Sequence, residues 1–480
     1  MVNKMARIKP AFDIRPICHY TTKKGWTNDP NGLVYDEEKQ TYHLFAQYSK
    51  HVENDGIFGW IHAISKDLIN WEEIDVPILS NDKGAAWSGG AVIDHSNTSG
   101  LFNNSVPRGS RMVCFVTYQS KNPKIGIVYS LDQGKTWIEH PEFVIKNENN
   151  RYTNEFRDPK VIWYENKELP KGGKWLLIVG GFTTIKLFSS DNLLDWKYES
   201  EILDVNGNTV DSECPDILKL PLDGDKNNIK YIVSTGGTSY IVGNLSVLDG
   251  KIIFKGEQES RKFFSGPKLW TNRGELYATQ SFFNDKYGRT VLLSWVVDRT
   301  ASLIEGKDWN GAQSLPMEVK LLRKNEGMAI NLYPVEELNN HRGRVLEDKK
   351  DIVLDNQSFE INDLNNNKYD LELELELGTS KEINIQLSDD VVTYNCVSHT
   401  LCFIPDSKEY IASEKVEPKK EILKLRIIID ALIVEIYTND GECNLHGMIN
   451  PLSLSNIRIS AKDGLFTIKN IKMYALNKEN

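Results

Sequence analysis

Six cysteines in 480 residues, at positions 18, 114, 214, 396, 402 and 443, are too few and too scattered for a dense disulfide framework. No two of them form a CxxC pair, so a cysteine zinc signature is missing as well, and reduced thiols in a cytoplasm fit best. Positive charge is in deficit: 57 Lys and Arg against 67 Asp and Glu leave a net charge of -10 and a pI near 5.6. Without a basic stripe to follow a phosphate backbone, nucleic acid is excluded as the expected partner. No apolar run approaches the roughly 18 residues of a membrane-spanning helix. The amino terminus, Met1 to Pro10, carries positive charge but no apolar core behind it, so no secretory signal is expected and the chain is placed in the cytoplasm. Helical periodicity is almost absent, and no His, Asp and Glu cluster has metal-ligand spacing, so neither metal nor cofactor is expected.

What remains is a soluble globular composition, with 40% hydrophobic, 10% aromatic and 26% charged residues. Its length calls for two or three domains unless a repeat intervenes. A repeat is visible. Ser65-x-Asp67 precedes Trp71, Ser130-x-Asp132 precedes Trp137, and Ser189-x-Asp191 precedes Trp196, with the tryptophans 137 - 71 = 66 and 196 - 137 = 59 residues apart. That period suits one four-stranded propeller blade, and residues 12–322 hold five of them. Short runs rich in β-branched and aromatic residues, such as Gly32 to Tyr35, Tyr42 to Tyr48 and Met112 to Tyr118, read as the hairpins of an all-β fold.

The texture changes beyond residue 322. Tyr333 to Leu338 reads as a short helix in a linker over 323–350, with a proline near its start. Tyr369 to Leu377 then alternates strictly, as do Ile383 to Leu387 and Leu423 to Ile427, which predicts strands packed on one face in a β-sandwich over 351–480. The sandwich offers a surface for homo-oligomers. No chemistry is concentrated there.

Three acids each stand beside a proline, in Trp26-Thr27-Asn28-Asp29-Pro30-Asn31-Gly32, Phe156-Arg157-Asp158-Pro159 and Glu213-Cys214-Pro215-Asp216. Singly each has a plain structural reading: Asp-Pro-Asn-Gly is a turn sequence, and Arg157-Asp158 a surface ion pair. Glu213 is harder to dismiss, because an acid entering an apolar strand should titrate high, as a proton donor must. Asp29, Ser88, Asp158 and Glu213 occupy strand starts in units one to four, 88 - 29 = 59, 158 - 88 = 70 and 213 - 158 = 55 residues apart. Since the inner strands of a propeller surround one funnel, these side chains are expected to converge. Proline beside each acid fits a strand start, where a missing amide donor costs least.

In order and at blade spacing, these strings resemble glycoside hydrolase family 32, the family of invertases, inulinases, levanases and sucrose-phosphate hydrolases. Trp87-Ser88-Gly89-Gly90-Ala91-Val92, Phe45-Ala46-Gln47-Tyr48 and Gln280 match further landmarks, and Asp430 and Glu435 match the family's sandwich strand. Thr27, Gly90, Ser49-Lys50 and Ile61 depart from the usual pattern. The resemblance implies a five-bladed β-propeller followed by a C-terminal β-sandwich. It implies Asp29 as nucleophile, Asp158 as transition-state stabiliser and Glu213 as acid/base, with Asn28, Gln47, Trp60, Trp87, Ser88, Arg157 and Trp309 at the substrate. For the three tryptophans, propeller core is an equally good reading. His62 reads as a packed strand residue.

The implied activity is that of a retaining β-fructofuranosidase acting on sucrose, fructo-oligosaccharides or fructans. A fructosyltransferase, an inverting arabinan-type enzyme and a non-catalytic sugar-binding propeller are the alternatives.

Overall fold

The computed structural model describes all residues except 1–7, 11, 54–55, 149–152, 154, 182, 265–272, 407, 409–410, 450–454 and 478–480. The amino-terminal stretch read above for a leader therefore lies, up to residue 7, outside the described residues.

The chain folds almost entirely as antiparallel strands, a propeller of five blades followed by a β-sandwich. The inner strands of the blades are Gly25–Asp36, Ala85–Ile93, Phe156–Glu165, Pro215–Leu222 and Arg273–Ser281. Each is followed outward by three more strands, ending the fifth blade with Met317–Lys324 and Gly327–Pro334. The fifth blade closes on the first through Trp309–Asn310, which pairs in parallel with Gly25 and Trp26.

The repeated serine and tryptophan mark the turn between the third strand and the outer strand. Ser65 Oγ donates to Asp67 at 2.9 Å and Trp71 Nε1 to the Leu68 carbonyl at 2.8 Å; Ser130, Asp132, Trp137 and Gly134 repeat the pattern. In the third blade the structure corrects the alignment by one residue. Ser190 and Asn192, not Ser189 and Asp191, make the turn, and Trp196 caps the Leu193 carbonyl at 2.9 Å. The amide of Asn192 replaces a carboxylate, which only a matching of hydrogen bonds reveals.

The propeller runs further than expected. Residues 323–334 belong to the fifth blade, because Met317 to Lys324 pair in register with Pro334 to Gly327. The expected helix is a 3-10 turn over Glu336–His341, and the sandwich opens at Arg342, so the link is a few residues rather than 323–350. Two six-stranded sheets form the sandwich. In Lys368–Glu376 the side chains of Tyr369, Leu371, Leu373 and Leu375 are buried, as their alternation requires. Ile428, Ile433, Tyr437 and Leu476 of the sandwich join the apolar cluster that includes Tyr42, Leu292 and Leu332 of the propeller. Burial of roughly 1.5–3 kcal/mol for each such side chain fastens the two parts together.

Candidate active site

Every inner strand but the fourth breaks its ladder where it faces the funnel. Thr27 pairs with Tyr48 and Pro30 with Ala46, so Asn28 and Asp29 oppose Gln47 alone. Ser88 is extra between Trp87 and Gly89, Asp158 and Pro159 oppose Val179, and Ala278 and Thr279 oppose Ser294. A bulge turns the strand and re-aims the side chains it carries. Of the three prolines only Pro215 opens its strand, as expected; Pro30 and Pro159 sit within strands, at bulges where a ladder hydrogen bond is already lost. Asp158, Cys214 and Ala278 hold φ of +63°, +46° and +52°, a conformation that side chains other than glycine adopt at a cost of roughly 1–3 kcal/mol. Strain of this kind clusters where side-chain direction matters most.

Asp29 is partly buried and held from three sides. Its Oδ2 accepts the Ser88 hydroxyl at 2.6 Å and faces the Cys214 thiol at 3.6 Å, and its Oδ1 accepts Asn28 Nδ2 at 3.2 Å. Gln47 orients two of these donors, giving its Nε2 to Ser88 at 2.6 Å and taking Asn28 Nδ2 at 2.8 Å. Burial pushes the Asp29 carboxyl up to about 7; the Ser88 hydrogen bond opposes this, and the charges of Asp158 and Glu213 add to it.

Asp158 is more deeply enclosed. Its backbone N–H donates to Thr117 Oγ1 at 3.0 Å, and its Oδ2 accepts the Cys214 N–H at 3.0 Å with Arg157 Nε at 3.5 Å. Burial raises its pKa, and Arg157 and the Cys214 amide pull it part of the way back. Glu213 stands higher, just ahead of its strand, with its side chain 37% exposed, so the apolar enclosure expected for it is absent. Arg157 Nη2 donates to its Oε1 at 2.9 Å, and the Tyr277 hydroxyl donates to its Oε2. Arg157 therefore bridges two acids instead of forming an exposed pair, and it also meets Glu155 and lies 5.8 Å from the Trp87 ring centre.

Asp29, Pro30, Asn31, Ser88, Gly89, Asp158, Pro159, Cys214, Ala278 and Gln280 line one narrow cleft. Asn28, Gln47, Arg157 and Glu213 are joined to it by the hydrogen bonds above, and Trp87 flanks it under Arg157. Trp60 and Trp309 are not part of it. Trp60 has no exposed surface and supports Trp87 by donating Nε1 to its carbonyl at 3.1 Å; Trp309 is enclosed at the blade junction between Arg15 and Lys307. Of the two readings left open for them, the structure takes propeller core. His62 stacks 4.4 Å from the Phe45 ring, within the same packing. Tyr277, Thr117 and Cys214 are the contributors to which the sequence assigned no role. Nothing in Leu276-Tyr277-Ala278 signals a partner for an acid 64 residues earlier.

Three carboxylates gathered at one cleft, Asp158 buried, Asp29 partly buried and Glu213 at the edge, are the arrangement of a site that moves protons and stabilises positive charge. Comparison with known proteins agrees. The model of the glycosyl hydrolases family 32 N-terminal domain matches residues 19–334, ending with the last propeller strand, and that of the family's C-terminal domain matches 337–475. The levanase of Bacillus subtilis (strain 168) is 30% identical over 97% of this chain, which spans 71% of the levanase. Invertase 2 of Saccharomyces cerevisiae is 32% identical over 64% of the chain and 58% of its own length. In fold, the exo-inulinase of Aspergillus awamori superposes with a TM-score of 0.81 over 98% of this chain and 99% of its own, at 24% identity. With both family models laid end to end across propeller and sandwich, the chain belongs to glycoside hydrolase family 32.

Proposed function

We propose that this enzyme is a retaining β-fructofuranosidase that removes terminal β-D-fructofuranosyl residues from sucrose, fructo-oligosaccharides or fructans. The observation that carries the reading is the common cleft of Asp29 and Asp158, with Glu213 tied to its edge by Arg157. Relatives that act as levanase, invertase and exo-inulinase support the fructoside class.

In this mechanism Asp29, aimed by Ser88, attacks the anomeric carbon while Glu213 protonates the departing oxygen. Water deprotonated by Glu213 then releases fructose from the covalent intermediate with its configuration retained. Asp158, whose carboxylate Arg157 and the Cys214 N–H stabilise against its burial, accepts hydrogen bonds from ring hydroxyls that strengthen as positive charge develops. Asn28 Oδ1, buried and without a partner among the described residues, is an acceptor ready for a sugar hydroxyl.

Proton NMR of the first fructose anomer released from sucrose tests the stereochemistry: the β anomer is expected, and the α anomer would refute retention. A panel of sucrose, its phosphate, inulin and levan identifies the leaving group. Transfer products exceeding free fructose at high sucrose would instead favour a fructosyltransferase.

A further inference from the structure

The sandwich touches the propeller at one strand that reaches the site. His446, buried in the sandwich strand Cys443–Met448, accepts the Leu276 N–H on its Nε2 at 3.1 Å. Leu276 precedes Tyr277, whose hydroxyl donates to Glu213. Beside this bond the two backbones meet: Gly274 has φ +79°, and a Cβ there would lie 2.6 Å from Gly447. Only glycine tolerates both the dihedral and the approach.

The imidazole suits a fixed acceptor. Its Nε2 takes a hydrogen bond, so the proton sits on Nδ1, which has no acceptor among the described residues. Protonation would bury an unpaired charge and destroy the bond to Leu276; burial accordingly pushes the pKa of His446 down to about 3, with the Lys262 charge adding to it. The ring edge is closed by Phe264 at 5.5 Å. The strand it holds is the one that bulges at Ala278 and Thr279, two residues further on, so its position is not set by a regular ladder alone.

We propose that His446 is a positioning residue for the hydrolytic reaction: through the Leu276 N–H it fixes the strand segment that presents the Tyr277 hydroxyl to Glu213, making the sandwich a working part of the active site. It rests on the assignment of Glu213 as acid/base. Tyr277 touches the reacting group and His446 acts through it.

A double-mutant cycle on the full chain tests this, with initial rates on sucrose and thermal melting for every variant. His446→Phe keeps a ring of similar size and loses the acceptor; it should lower kcat about tenfold with KM changed by less than about twofold. In a Tyr277→Phe background the same substitution should change kcat by less than about twofold, because the contact it serves is gone. His446→Gln, whose amide oxygen can accept the Leu276 N–H, should recover part of the loss. Should His446→Phe not fold, His446→Leu replaces it in the cycle. Equal loss of kcat in both backgrounds, or a lowered melting temperature with kcat unchanged, would overturn the proposal. Glu213→Ala separates the two claims: if it retains turnover, the acid/base assignment fails, whereas an inactive Glu213→Ala with multiplicative His446 and Tyr277 effects sinks only the role of His446.

Discussion

His19, in the segment leading into the first blade, places its Nδ1 2.9 Å from Asp430 Oδ2 of the sandwich, and neither side chain is exposed. Its Nε2 lies 3.0 Å from Glu435 Oε1, which also accepts the Leu315 N–H at 3.1 Å. Asp430 accepts the N–H groups of Ile17, Cys18 and His19 at 2.7 to 3.1 Å. Both imidazole nitrogens face carboxylates, so the ring sits there as a cation.

The cation makes stability fall in alkali. Burial alone would depress the pKa of His19, and Asp430 and Glu435 outweigh it to raise the group to about 9. A raised pKa stabilises the fold fully below the unfolded value of ~6.5, and the contribution disappears as pH rises through about 9. The melting temperature should therefore drop between pH 7 and 9.5. His19→Gln should abolish that slope and cost about 3–5 kcal/mol near neutral pH, read by urea denaturation. A melting curve for His19→Gln that still falls through the same window would contradict the assignment.

Asp29 must be ionised to attack, so kcat/KM should rise as pH increases through about 7, where burial and the neighbouring acids place its titration. The Ser88 hydroxyl stabilises the ionised form and holds the pKa down. Ser88→Ala should move this acid limb to higher pH, seen in kcat/KM profiles between pH 5 and 9. An unmoved limb would show that another group sets it.

Arg157 joins Glu213, Asp158 and Glu155 with one planar fork. Lysine carries the charge without the fork, so Arg157→Lys should lower kcat/KM by roughly 100-fold while the melting temperature changes little. Steady-state kinetics and calorimetry on the same preparation check both halves.

The tryptophans divide by burial. Trp60→Ala should cost about 3–5 kcal/mol of stability, measured by urea denaturation, through the cavity it leaves. Trp87→Ala, at the cleft edge under Arg157, should mainly raise KM for sucrose. Reversed outcomes would put the sugar against Trp60.

Much of this was legible because it is periodic. The alternation from Tyr369 to Leu375 required a one-sided strand, and the spacing of Asp29, Ser88 and Asp158 predicted a shared funnel that the bulged inner strands form. Ser189 was mistaken for Ser190 because the turn is defined by hydrogen bonds, and a serine with a polar residue two places on occurs in both frames. The end of the propeller at Pro334 was missed because its last hairpin is as charged as a linker: Lys320, Arg323, Lys324 and Glu326 lie on an outer edge that faces water. The enclosure expected of Glu213 failed for a related reason. Apolar neighbours in sequence alternate sides of a strand, and Glu213 precedes the strand altogether.

By itself the amino-acid sequence determined the strands and the repeat, since these follow from side-chain period and local turn chemistry, while the roles of the acids came from motifs that resemble a known family. Tertiary structure alone decided which groups surround each acid. Tyr277 reaches Glu213 from the next blade, Arg157 spans two carboxylates, and His19 and His446 tie sandwich to propeller, contacts that depend on bulges and left-handed residues at single positions. Local sequence cannot encode such pairings, because their geometry is set by how five twisted sheets and a sandwich close on one another.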